Sequence, residues 1–318
     1  MTEMPPAAQL LRFEDVNAYP RRIVCLTEET TETLYLLREQ DRIVGVSGYT
    51  ARPAEARLKP KVSAFTTAKF DKILAVQPDL VLAFSDLQAD IVRELIARGI
   101  NVIAFNQRSI REILEMMHLL ARIVGVPEKG ERLVARFQSE LRLIAESAAR
   151  LPRHPRVFFE EWKDPLISGI RWVKELIEVA DGQPVFPELR DESAAKGRIV
   201  DAQWVVERNP DIVIGSWCGM KVNKDAIRAR PGWHDVSTVR NGHIYKIKST
   251  YILQPGPAAL TEGVRQLHAI IMGTSGLDVS SEIAPVERCD PDLSSTNFHE
   301  ESQRTTVSPL GTPEALLE

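Results

Sequence analysis

Two adjacent carboxylate pairs, Glu28-Glu29 and Glu160-Glu161, each follow closely on a short apolar run. Paired carboxylates so placed could do acid–base work or hold a metal ion. Their ordinary alternative is solvated charge in a loop or at a helix start. Cys218 ends another apolar stretch, but no histidine stands in a sequence relation that would activate it as a nucleophile. A buried small thiol is the plainer account. The six histidines are scattered, and Cys25, Cys218 and Cys289 are an odd number at unrelated spacings. They form neither a zinc pattern nor a disulfide framework. No glycine-rich phosphate loop follows an expected strand. The sequence therefore offers no catalytic residue and no metal-ligand set.

A second chemistry is more coherent. Thr27, Glu28, Tyr49, Phe65 and Ser85 fall after expected strands in the first half of the chain, as do Asn106 and Gln107. Glu160, Glu161, Trp162 and Trp217 do so in the second half. Aromatic rings beside a few amides, hydroxyls and carboxyls suit a large, flat, amphipathic ligand that wants ring faces and hydrogen bonds together. Tyr49 and Phe65 could equally be ordinary packing residues.

The elements that position these residues come twice. Residues 69–86 read KFDKILAVQPDLVLAFSD, and residues 201–218 read DAQWVVERNPDIVIGSWC. Pro78 and Pro210 align at an offset of 132. Apolar residues at helical spacing lead to a proline that ends the helix, and a continuous apolar run follows. Such a run predicts a strand buried on both faces of a parallel sheet. Arg22-Ile23-Val24-Cys25 and Arg156-Val157-Phe158-Phe159 repeat at an offset of 134. Between the repeats, Pro127 to about Arg150 predicts one long helix, with Leu133, Val134, Phe137, Leu141 and Ile144 at three and four. Ser109 and Glu112 have capping-box spacing at the start of another helix. The residues 27–31 predict a polar loop before a helix near Glu32 to Glu39.

The predicted fold class is α/β, with two Rossmann-like lobes joined by a single long helix and a ligand cleft between them. The expected divisions are an N-terminal extension over 1–20, a first lobe over 21–126, a connecting helix over 127–152, a second lobe over 153–273 and a disordered tail over 274–318. That tail holds a single aromatic, Phe298, among many Ser, Thr, Pro and Glu. The whole chain is 44% hydrophobic and 26% charged with a net charge of −4, which argues against nucleic acid as the main partner. No run approaches the length of a membrane span. Glu3, Arg12, Glu14 and Asp15 interrupt the first residues, so no secretory h-region is read there and a cytoplasmic location is expected.

Taken together, RIVCLTEETTETLYLL, DRIVGVSGY, VSAFTTAKFDKILAVQPDLVLAF and GINVIAF, then RVFFEEW, VDAQWVVERNPDIVIGSW, W-x6-RNGHIY and QPGP, resemble a known family. They are similar to the helical-backbone class of ABC-transporter substrate-binding proteins, and within it to the cobalamin-binding branch. The resemblance implies a non-catalytic protein that takes cobalamin or a related corrinoid as ligand, with no catalytic cofactor. It places first-lobe contacts at Tyr49 and Phe65, and second-lobe contacts in the Glu161–Trp172 loop and around Trp217. The family's transporter-docking acids fall on Asp71 and Gln203, and the second has lost its charge. Another metal chelate, haem or an iron–siderophore, is the alternative within the binding class. An enzyme using the carboxylates and Cys218, and an interaction protein working through its tail, are the alternatives outside it.

Overall fold

A computed structural model describes residues 19–275. The chain before residue 19 and after residue 275, including nearly all of the expected tail and Cys289, lies outside the described residues. The described chain divides into two compact units, one of residues 19–143 with 248–263 and one of residues 144–247 with 264–275.

The first unit holds strands β1 (Ile23–Cys25), β2 (Ile43–Ser47), β3 (Lys61–Ser63), β4 (Leu80–Phe84) and β5 (Val102–Phe105). They pair in parallel in the order β3-β2-β1-β4-β5. Every residue of β4 is buried, as a run without polar alternation requires. Helices α1 (Glu28–Leu36), α2 (Phe70–Ala75), α3 (Ala89–Ala97) and α4 (Ile110–Ile123) connect them. Val24, Leu26, Val81 and Ala83 pack with Ile73 of α2 and with Ile91 and Leu95 of α3. The capping box expected at Ser109 and Glu112 is complete in both directions.

Helix α5 (Pro127–Ala148) runs for 22 residues, close to the expected span. The two units divide within it, and residues 248–263 belong with the first unit rather than with the chain around them. That segment carries α10 (Ser249–Ile252) and a π-helical turn, Ala259–Gly263, ahead of α11 (Val264–Thr274). The expected closing helix from Ala258 thus passes through a π turn before α11.

The second unit is built on β6 (Arg156–Lys163). β9 (Ile212–Gly215) lies parallel on one side, with β10 (Ile244–Lys246) beyond it. On the other side, β7 (Leu166–Ser168) runs antiparallel to the end of β6, and β8 (Gln183–Pro184) parallel to its start. Helices α6 (Arg171–Val179), α7 (Ala202–Arg208), α8 (Lys224–Arg228) and α9 (Ser237–Arg240) complete the unit. Phe158 of β6 meets Phe186 and Trp233 edge-on at 5.8 and 6.3 Å between ring centroids. β3, β7 and β8 are strands that the sequence reading does not expect.

The internal repeat has a physical basis. Asp79 accepts the backbone N–H of Arg21 and of Arg22 at 2.7 and 3.0 Å, at the start of β1. Asp211 accepts the N–H of Arg156 at 2.8 Å, at the start of β6. The backbone answers in both units, with Asp79 N–H donating to Arg22 O and Asp211 N–H to Arg156 O. The residues before the two prolines, Gln77 and Asn209, share a left-handed backbone with φ of 45° and 42°. The Pro-Asp pair therefore locks a helix exit to the start of a neighbouring strand in each unit.

No helix among the described residues is long and apolar enough to cross a membrane.

Candidate functional site

In the first unit the strand ends carry an acidic, largely buried cluster. α1 begins immediately after β1, and its first turn is the stretch that the sequence reading takes for a loop. Thr27, Glu29, Thr30 and Thr31 are all buried. Their polarity hides the helix because the bonds are local. Thr30 and Thr31 hydroxyls donate to Thr27 O, and Thr33 to Glu29 O. Thr27 Oγ1 donates to Glu29 Oε1 at 2.5 Å, and Glu29 Oε2 has no hydrogen-bond partner.

Burial pushes the Glu29 carboxyl up to about 7, against the Thr27 bond and the Arg108 charge that oppose it. Glu28 is half-buried, and burial followed by the charges of Glu29 and Glu32 pushes it up to about 8. Burial raises Glu32 as well, though Arg52 holds it back. Arg52 Nε donates to Glu32 at 3.1 Å, its Nη2 meets Glu262 at 3.1 Å, and its guanidinium lies over Tyr251. Burial would raise Glu262 too, but the Thr261 hydroxyl and Arg52 hold it below the usual range. Arg108 pairs with Asp86 and covers the Phe84 ring. The QPGP loop completes the wall. Gln107 Nε2 donates to Pro255 O at 3.1 Å while its Oε1 stays buried without a partner. A Cβ on Gly256 would lie 2.4 Å from Glu29 Cβ.

The other first-unit candidates differ in kind. Tyr49 is 53% exposed, with its ring open to solvent. Phe65 is half-buried, and its carbonyl accepts from Gln88 Nε2 at 2.7 Å, which ties that loop to the end of β4. Ser85 is buried at φ 63°, with its hydroxyl accepting Leu87 N–H. It shapes the turn after β4.

In the second unit the structure corrects several expectations. Glu160 is not solvated. It is fully buried and accepts from both arms of Arg230 at 2.6 and 2.7 Å and from Trp217 Nε1 at 2.9 Å. Trp217 is itself buried among Phe158, Ile227 and Trp233, so its ring belongs to the core rather than to a ligand face. Trp172 is buried on α6 as well. Glu161 is partly buried and ion-paired with Arg198 at 2.5 Å, and it accepts Ile170 N–H at 3.1 Å. Trp162 is partly buried, with its indole donating to Asp164 O at 2.9 Å. Cys218 is exposed, while burial pushes the Cys25 thiol up to about 12.

Sequence reasoning missed Glu32, Arg52, Glu262, Arg198 and Arg230, because the bonds that define them span from 20 residues (Glu32 to Arg52) to 210 (Arg52 to Glu262). The QPGP motif was the one readable signal for the returning segment. No cluster of three or more His, Cys, Asp or Glu among the described residues could hold a metal ion. Asp71 on α2 and Gln203 on α7 are both exposed.

Comparison with known proteins adds the wider frame. Residues 23–251 match the periplasmic binding protein family. The chain is 27% identical over 267 residues to the uncharacterized ABC transporter substrate-binding lipoprotein YvrC of Bacillus subtilis, covering 79% of this chain and 80% of that one. It is 26% identical over 248 residues to the vitamin B12-binding protein of Vibrio parahaemolyticus, covering 77% and 87%. The solved periplasmic heme-binding protein RhuT from Roseiflexus superposes with a TM-score of 0.68 at 22% identity, covering 79% of this chain and 99% of that one. At that identity the likeness is one of fold.

Proposed function

We infer the ligand class from one premise, that this chain belongs to the periplasmic binding protein family. It is a substrate-binding protein of the ABC-transporter type, and we propose that its ligand is a corrinoid, bound without catalysis. One observation carries the choice. At the strand ends of the first unit, Glu28 and Glu29 hold their protons near neutral pH. The arginines nearest them are taken up by Glu32, Glu262 and Asp86. A chelate rimmed with carboxylates would find no unpaired guanidinium there to neutralise it. A corrin rimmed with neutral amides would meet protonated carboxyls that donate and a Gln107 oxygen that accepts. The half-buried Phe65 and exposed Tyr49 supply ring faces for the macrocycle. The vitamin B12-binding relatives support the same reading.

Transporter docking belongs to this proposal in weakened form. Asp71 keeps a charge on the exposed side of α2, whereas the matching α7 position is the uncharged Gln203.

The test is a titration of tryptophan fluorescence with cyanocobalamin, haemin and a ferric hydroxamate chelate. Saturable one-to-one quenching by cyanocobalamin alone is the expected outcome. A saturable Soret shift with haemin and no cyanocobalamin response would replace this reading with the haem alternative.

A further inference from the structure

Lys174 stands in the fourth position of α6, 3% exposed, and its Nζ has no hydrogen-bond partner. Two more buried donors beside it also lack partners, Arg198 Nε and Ser168 Oγ. The three belong to one patch. Arg198 Nη1 donates to Ser168 O at 2.6 Å and to Glu161 Oε2 at 2.5 Å. The same Glu161 oxygen accepts from Ile170 N–H at 3.1 Å, and Ile170 O accepts the Lys174 N–H at 3.1 Å. An antiparallel bridge between Ile167 and Ile199 fixes the Arg198 turn alongside β7.

The charges in this patch do not balance. Lys174 and Arg198 are two cations, and Glu161 is the one carboxylate bonded within the patch. Glu188, the other carboxylate whose field reaches Lys174, is held by Arg208 at 2.5 Å. Glu178 is held by Arg190. Burial, and then the Arg198 charge, pushes the Lys174 ammonium down to about 8, so the group stays mostly charged at neutral pH. A buried ammonium without a partner is costly unless an anion or another acceptor meets it.

We propose that Lys174 Nζ, Arg198 Nε and Ser168 Oγ form a binding site for a small monovalent oxyanion of carboxylate size within the second unit. One negative charge neutralises the patch, and a divalent anion would overshoot. All three side chains are at least 97% buried, so the occupant is a free small ion and not the arm of a larger ligand. The site lies apart from the first-unit residues on which the corrinoid reading rests.

Thermal unfolding of the full chain at pH 7 in sodium formate tests it, with sodium gluconate at equal ionic strength as a carboxylate too large to enter. Formate at ten times its dissociation constant should raise Tm by about 3 °C or more over gluconate. Lys174→Met should abolish the difference. Direct binding is read in parallel from saturable line broadening of 13C-formate, on wild type and on Ser168→Ala, which removes only a hydroxyl. Ser168→Ala should weaken formate severalfold. No formate-specific shift with no saturable broadening would overturn the proposal. So would a formate response unchanged in both variants.

Discussion

Trp217 donates its indole N–H to Glu160 at 2.9 Å, beneath a two-armed Arg230 ion pair, and both residues are buried. The pairing makes both residues structural. Glu160→Gln leaves Arg230 facing a neutral amide, and breaking a buried pair on one side costs about 3–5 kcal/mol. Trp217→Ala opens a cavity at a cost of about 3–5 kcal/mol. Urea unfolding should show both variants destabilised. Trp217→Phe should lose about 1–2 kcal/mol, the share of the hydrogen bond. Wild-type midpoints for the glutamine variant would mean that the ion pair does not form.

The raised carboxyls of Glu28 and Glu29 give stability a pH dependence of definite sign. Both bind their protons more tightly in the folded chain than in the unfolded one. As pH rises from the usual carboxylate range towards 7 and 8, the unfolded state has already released these protons and the folded state resists release. Stability therefore falls as pH rises through that window and returns as pH falls. Urea midpoints at pH 5.5 and 8 measure the slope. Glu28→Gln and Glu29→Gln should each flatten it, and a variant slope equal to wild type would remove that residue from the account.

Gly256 has no room for a side chain. Its added Cβ would sit 2.4 Å from Glu29 Cβ and 3.0 Å from Glu29 Cα. Gly256→Ala should cost about 1–3 kcal/mol through the forced shift. Because it displaces the Glu29 carboxyl, it should also alter the pH slope just described. An unchanged slope with lowered stability would separate the packing from the titration.

Asp79 and Asp211 should behave alike. Asp79 accepts two backbone N–H groups just ahead of β1, and Asp211 accepts one at the first residue of β6. Asp79→Ala and Asp211→Ala should each cost about 1–3 kcal/mol, the range for stranding partners of a charged acceptor. Hydrogen exchange at Arg22 and Arg156 N–H reports each loss locally. Faster exchange confined to the mutated unit is the expected pattern.

Much of this architecture was legible because it is local. The Pro78 and Pro210 breaks, the unbroken runs after Asp79 and Asp211, and the Ser109–Glu112 box each declare themselves within a few residues. The start of α1 was not, because Thr27, Thr30 and Thr31 satisfy their hydroxyls on neighbouring carbonyls and so look like a loop. The site was less legible than the fold. Glu160 meets Arg230 across 70 residues and Trp217 across 57, and nothing in the periodicity of either segment declares the pairing. A tryptophan after a buried strand can face a ligand or turn back into the core, and here a buried carboxylate draws it inward.

The first unit is interrupted in sequence. Its wall against Glu29 is Gly256, from a segment that follows the whole central part of the second unit in the chain. On the ribosome, β1 and α1 emerge first and wait through more than two hundred residues of synthesis for the loop that covers them. Until then Glu29 and Glu32 lack the segment that packs against them. A nascent chain released before residue 248 would carry five paired strands with an unfinished rim. Such truncated chains are the natural prey of chaperones and proteases.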